Sequence, residues 1–218
     1  MLAGAVFMLM SVTAWSRESA AIPLSGEEII TQIHSLATLY KINSTLVLST
    51  YLQHQGSPFS DINFSFPSWF ENGLPTAAMG FKAWRCLCPG DRLLQARQAF
   101  SAISEFFQLV RDDQMSLNPM ATELHRLLEI AQRSSEALLS NLNEAMLILG
   151  YQPQSTQPEP LSWASTDDSI FKRKVRGYVL CREYRDWLMR VPKDMEILRA
   201  ARNRRETAGP DRKDCCRS

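Results

Sequence analysis

Residues 91–149 read DRLLQARQAFSAISEFFQLVRDDQMSLNPMATELHRLLEIAQRSSEALLSNLNEAMLIL, and this stretch decides the fold class. Leu93, Ala96, Phe100, Ile103, Phe107 and Val110 recur at three- and four-residue steps, which places them on one face of an α-helix over 91–110. A polar break begins at Arg111-Asp112-Asp113-Gln114 and predicts a short connection. Asn118-Pro119 then opens a second helical pattern, since proline is tolerated in a first turn. Its stripe is Leu124, Leu127, Ala131, Leu138, Leu142, Ala145 and Leu149, and Gly150 suits a C-cap. Two long amphipathic helices with so short a link form an antiparallel pair.

The same period extends outward on both sides. Upstream, Ile29, Ile33, Leu36, Tyr40, Val47 and Tyr51 predict a helix over 27–54. Ser25 and Glu28 have capping-box spacing at its start, and Gly56-Ser57-Pro58 stops it. Downstream, the acidic pair Asp167-Asp168 suits the positive end of a helix dipole. The core line there is Ile170, Leu180, Tyr184, Trp187, Val191 and Leu198, with Pro192 expected to kink or end the helix.

The other two connections are long. Residues 56–90 carry Pro58, Pro67, Pro75 and Pro89, interspersed with Phe59, Phe64, Phe66, Trp69, Phe70 and Trp84. Residues 151–165 carry Pro153, Pro158 and Pro160. Loops of this length inside a domain need a reason, and a crossover between parallel helices supplies one. The aromatics predict that the first crossover packs against the helices. With no alternating strand pattern, the expectation is an all-α, long-chain, up-up-down-down four-helix bundle.

A chain of 218 residues suits one domain with a sizeable core. The expected organisation is a signal peptide over 1–21, the bundle over 22–203 and a disordered tail over 204–218. The signal reading rests on the apolar run LAGAVFMLMSVTAW at 2–15, too short to span a bilayer, although no Lys or Arg precedes it. Cleavage is expected after Ala21, with Ala14-Trp15-Ser16 an earlier alternative. A net charge of +1 argues against bulk attraction to nucleic acid or acidic membranes, but basic residues outnumber acidic ones from Phe171 onward.

Five cysteines are too few for a disulfide scaffold, and Cys181 reads as a buried thiol. Burial at ~1.5–3 kcal/mol per large apolar side chain is therefore expected to hold the fold. No HExxH, ExxH pair, P-loop or G-x-S-x-G occurs, and His34, His54 and His125 are scattered. The expectation is no catalytic residue, no cofactor and no metal. Asn43-Ser44-Thr45 and Asn63-Phe64-Ser65 are N-glycosylation sequons.

Several words carry a resemblance. Residues 50–59 read TYLQHQGSPF; Phe81-Lys82-Ala83-Trp84, Asp112-Asp113-Gln114 and Leu117-Asn118-Pro119 follow in order. Phe171-Lys172-Arg173-Lys174, Arg176-Gly177-Tyr178 and Arg182-Glu183-Tyr184 complete the series. Together they resemble the cardiotrophin and ciliary neurotrophic factor group of the interleukin-6 cytokine superfamily, from about Ser35 to Leu198. Cys86-Leu87-Cys88-Pro89 and Pro192 depart from its pattern.

The resemblance implies a secreted, non-catalytic, monomeric ligand. Its implied partners are the ciliary neurotrophic factor alpha receptor, the shared interleukin-6-family signal transducer and the leukaemia inhibitory factor receptor, with JAK/STAT signalling downstream. It implies that Phe171 and Lys174, as an F-x-x-K motif, contact the leukaemia inhibitory factor receptor. Their i, i+3 spacing puts them on one helical face. It further implies alpha-receptor contact by Trp84 and Arg190. Arg190 lies off the core line and is expected to face solvent, whereas Trp187 lies on it and is expected to be structural. The shared transducer is expected on exposed faces of the first and third long helices. The rival readings are a secreted helical lipid carrier, for which the apolar stripes are narrow, and an intracellular helical adaptor.

Overall fold

Ser25 starts the first helix by a reciprocal exchange. Its Oγ accepts the Glu28 N–H at 3.2 Å, while Glu28 Oε2 accepts the Ser25 N–H at 2.7 Å. The computed structural model describes residues 24–62, 64, 71, 73–151 and 168–208, with side chains through residue 204. Its elements are all helical: α1 (Gly26–Gln55), α2 (Phe81–Cys86), α3 (Pro89–Leu117), α4 (Thr122–Ile148) and α5 (Ile170–Ala208). The expected signal peptide, Asn63, Phe66, Trp69, Phe70, Asp167, residues 152–165 and the tail beyond Ala208 lie outside the described residues.

Side-chain contacts between helix ends give the chain directions. Gln55, at the end of α1, donates to Gln114 near the end of α3, so those helices run the same way. Asn143, late in α4, accepts from Arg97, early in α3. Lys174, at the start of α5, reaches the carbonyl of Gln55, while Arg199 near its other end reaches Thr31. Thus α4 and α5 run against α1 and α3, in the up-up-down-down order. Packing pairs α1–α5, α5–α3, α3–α4 and α4–α1 close the ring.

Inside that ring the predicted stripes meet. Ile29, Ile33, Tyr51, Leu93, Phe100, Ile103, Phe107, Leu124, Leu138, Leu142, Leu180, Tyr184 and Trp187 are all buried. Cys181 is buried too, and desolvation pushes its thiol pKa up. Cys88 is disulfide-bonded.

Five local expectations are corrected. The helix over 91–110 runs on to Leu117, because Asp113 and Gln114 turn inward to buried partners instead of opening a connection. Asn118 consequently caps α3, and α4 starts at Thr122. Ile170 is 61% exposed and not part of the core line. Pro192 does not end α5: an internal proline costs about 3 kcal/mol, but buried Leu188, Val191, Asp194 and Met195 hold both flanks. The same helix passes the expected boundary at residue 203 and reaches Ala208.

The first crossover does lie against the bundle where it is described. Phe59 and Leu74 are buried. Trp187 Nε1 donates to the Pro75 carbonyl at 2.9 Å, and the Ala77 N–H donates to Glu183 at 2.9 Å. These anchors position α2, which loop composition had hidden, beside the second half of α5.

Candidate functional site

Two surfaces on α5 gather the residues of interest. At the helix start, Phe171 is 49% exposed and its ring packs 5.8 Å from Phe59. Phe59 continues to Phe64 at 4.9 Å, and Phe64 to Tyr178 at 5.2 Å. Phe171 is therefore backed by an aromatic row and half-exposed.

Lys174 is placed differently from its partner in the motif. Its Nζ donates to the Gln55 carbonyl at 2.6 Å. A cation there satisfies an orphan carbonyl and meets the negative end of the α1 dipole. It ties α5 to α1 as well as flanking Phe171.

Behind this surface lies a polar cluster that the sequence did not reveal. Asp113 takes Arg173 Nε and Arg176 Nη2, each at 2.7 Å, and Arg176 Nη1 reaches Asp168 at 2.5 Å. Partial desolvation opposes ionisation of Asp168, but hydrogen bonds from Lys172 and Arg176 outweigh it and hold its carboxyl below the usual range. The Arg173 and Arg176 side chains thereby pin the first turns of α5 to the end of α3.

The second surface brings Trp84 and Arg190 together through a residue not singled out from sequence. Asp194, fully buried, accepts Trp84 Nε1 at 2.8 Å, Arg92 Nη1 at 2.6 Å and Arg190 Nε at 3.2 Å. Arg92 also lies over the Trp84 ring, 5.2 Å from its centroid. Contrary to expectation, Arg190 does not face solvent. It is 8% exposed, lies 4.6 Å from the Trp187 centroid and donates to Gln95 at 2.6 Å. Burial pulls its guanidinium pKa down, and nearby Arg92 adds to this, against the pull of Asp194.

Trp84 and Arg190 share an open groove of about 340 Å³ with Met79, Phe81, Met189 and Lys193. Phe81 is well exposed there, 6.0 Å from the Trp84 ring. An aromatic and methionine-lined groove with Asp186 beside Arg190 and Lys193 suits protein recognition. Trp187, buried and bonded to Pro75, is structural as expected.

A third surface was missed as residues, although its helix was expected. Leu39, Ile42 and Leu46 project from α1 on its outer face, Ile42 being 72% exposed. Their i, i+3, i+7 spacing is a legible stripe, but it runs opposite the stronger buried one. Asn43 is exposed within it. Among the described residues no cluster of His, Cys, Asp or Glu could hold a metal ion, and no helix is long and apolar enough to cross a membrane.

Long helices in up-up-down-down order, with exposed apolar and aromatic side chains on their outer faces, define a long-chain helical cytokine. Residues 11–205 match the family model for plethodontid receptivity factor, PRF. The chain is 41% identical to cardiotrophin-2 of Mus musculus over 182 residues, 84% of this chain and 89% of that protein. It is 40% identical to cardiotrophin-2 of Pan troglodytes over the same shares. With cardiotrophin-1 of Mus musculus the identity is 33%, over 78% of this chain and 84% of the relative. The chain belongs to the cardiotrophin family of interleukin-6-type cytokines.

Proposed function

We propose that this cytokine is a secreted ligand that acts by bridging receptor chains, without catalysis of its own. The observation that carries the reading is the separation of two surfaces along one rigid helix. At 1.5 Å per residue, Phe171 and Arg190 lie roughly 28 Å apart along the α5 axis. That distance lets two receptor ectodomains engage one ligand side by side.

In this reading Phe171 inserts into the leukaemia inhibitory factor receptor, and Lys174 orders the adjoining turn. The groove of Trp84 and Arg190 receives the ciliary neurotrophic factor alpha receptor. The exposed α1 face of Leu39, Ile42 and Leu46 meets the shared interleukin-6-family transducer. Signalling then passes through receptor-bound JAK kinases to STAT proteins. A glycan on Asn43 or Asn63 would be carried on the secreted ligand; exposure of Asn43 is compatible with this.

Cells expressing all three receptor chains test the assignment. The purified chain is expected to drive STAT phosphorylation, and removal of the alpha receptor to abolish it. An equal response without the alpha receptor would refute that partner.

A further inference from the structure

The basic excess of the C-terminal half closes on Arg202-Asn203-Arg204-Arg205, followed by Glu206. Arginine at the first, third and fourth places of a tetrapeptide is the pattern read by paired-basic endoproteases of the secretory pathway. Their clefts are lined with carboxylates, which take guanidinium groups in bidentate pairs, and they cut after the fourth residue. The pattern occurs once in the chain. Arg173–Arg176 and Arg182–Arg185 repeat the outer arginines, but Val175 and Tyr184 stand in third place and are buried. Their arginines are also held, Arg173 and Arg176 by Asp113 and Arg182 by Glu183.

At Arg202 the packing of α5 runs out. Leu198 is the last core residue among those described. Ala201 and Arg202 are half-buried, Arg202 against Gly26, while Asn203 and Arg204 are exposed. The helix continues to Ala208, so residues 202–207 lie in its last two turns. The final carbonyls of a helix have no partner within it, and helix ends open at little cost in free energy. These turns can therefore unwind into an extended protease cleft while the core stays packed.

We propose that the Arg205–Glu206 peptide bond is a processing site for a paired-basic endoprotease, an inference that rests on the secreted reading above. Hydrolysis consumes one water, leaves a carboxylate on Arg205 and an amino terminus on Glu206, and separates residues 206–218 from the bundle. The larger product keeps Leu198 and every earlier core residue, together with Phe171, Trp84 and Arg190. The segment cut off carries Cys215 and Cys216. Because Cys88 is disulfide-bonded, the fragments are weighed after reduction.

The test digests the purified full chain with furin, reduces it and weighs the fragments by mass spectrometry. One cut is expected, between Arg205 and Glu206. Arg205→Ala should abolish it, and Arg202→Ala should slow it about tenfold or more; circular dichroism should show both variants folded. Cells expressing the chain are expected to release a product lacking residues 206–218, and the uncut chain when a convertase inhibitor is added. An intact chain after digestion, an equal rate for Arg202→Ala, or only uncut chain in the untreated medium would each overturn the site. A chain held inside the cells counts against secretion instead, and digestion of the purified chain then decides the processing site by itself.

Discussion

Trp84 donates its indole N–H to the carboxylate of Asp194 at 2.8 Å, across 110 positions of sequence. The same carboxylate holds Arg92 and Arg190, so one buried anion orders α2, α3 and α5 around the groove. Asp194→Ala leaves two arginines without their shared partner, a loss of about 3–5 kcal/mol. Asp194→Asn keeps an acceptor for Trp84 and should fall between Ala and the unsubstituted chain. Chemical denaturation gives the ordering, and an Asp194→Ala midpoint equal to that of the unsubstituted chain would contradict it.

Phe171 and Lys174 should separate under substitution, although they share a face. Phe171→Ala removes a half-exposed ring and should change stability by no more than about 1 kcal/mol, while sharply lowering affinity for the leukaemia inhibitory factor receptor. Lys174→Ala removes the ammonium from the Gln55 carbonyl and should cost stability as well, about 1 kcal/mol. Thermal melts beside surface-binding measurements distinguish the two. Equal melting losses with unchanged affinities would reassign both residues to packing.

Gly177 allows the close passage of Tyr51, whose hydroxyl donates to the Lys174 carbonyl at 3.0 Å. A Cβ at Gly177 would collide with the Tyr51 ring and hydroxyl. Gly177→Ala should destabilise by about 1–3 kcal/mol through overpacking. Pairing it with Tyr51→Ala should recover part of that loss relative to the sum of the single changes, as measured in a double-mutant cycle.

Acid should weaken the fold through Glu28 and Asp168. Hydrogen bonds with the Ser25 backbone and side chain depress the pKa of Glu28, and those from Lys172 and Arg176 depress that of Asp168. Both carboxyls therefore bind protons more readily in the unfolded chain. Their contribution is present above the ordinary values of 4.5 and 3.8 and is lost as pH falls through the lower folded values. Denaturation midpoints should begin to decline below about pH 5. Glu28→Gln with Asp168→Asn should flatten that decline; an unaltered slope would assign it to other groups.

The bundle was legible because four strong apolar stripes and three connection lengths leave little choice of topology. The capping box at Ser25 and Glu28 was legible because it is local. Periodicity failed where polar residues turn inward: Asp113 and Gln114 read as a connection, and Arg190 read as a surface cation. Their partners lie on other helices, and spacing along one helix does not report them. The i, i+3 spacing sets Lys174 beside Phe171, but its bond to Gln55 depends on where α1 ends. Helix α2 was hidden because its six residues are too few to display a period and stand among prolines and aromatics.

The most direct test of the central reading measures binding of the purified chain to separate alpha-receptor and leukaemia inhibitory factor receptor ectodomains, with Phe171→Ala and Trp84→Ala alongside. Two independent surfaces on α5 predict that Phe171→Ala loses the leukaemia inhibitory factor receptor and retains the alpha receptor. Trp84→Ala should do the reverse. Parallel loss of both receptors in each variant, or loss of neither, would contradict a ligand that bridges them through these sites.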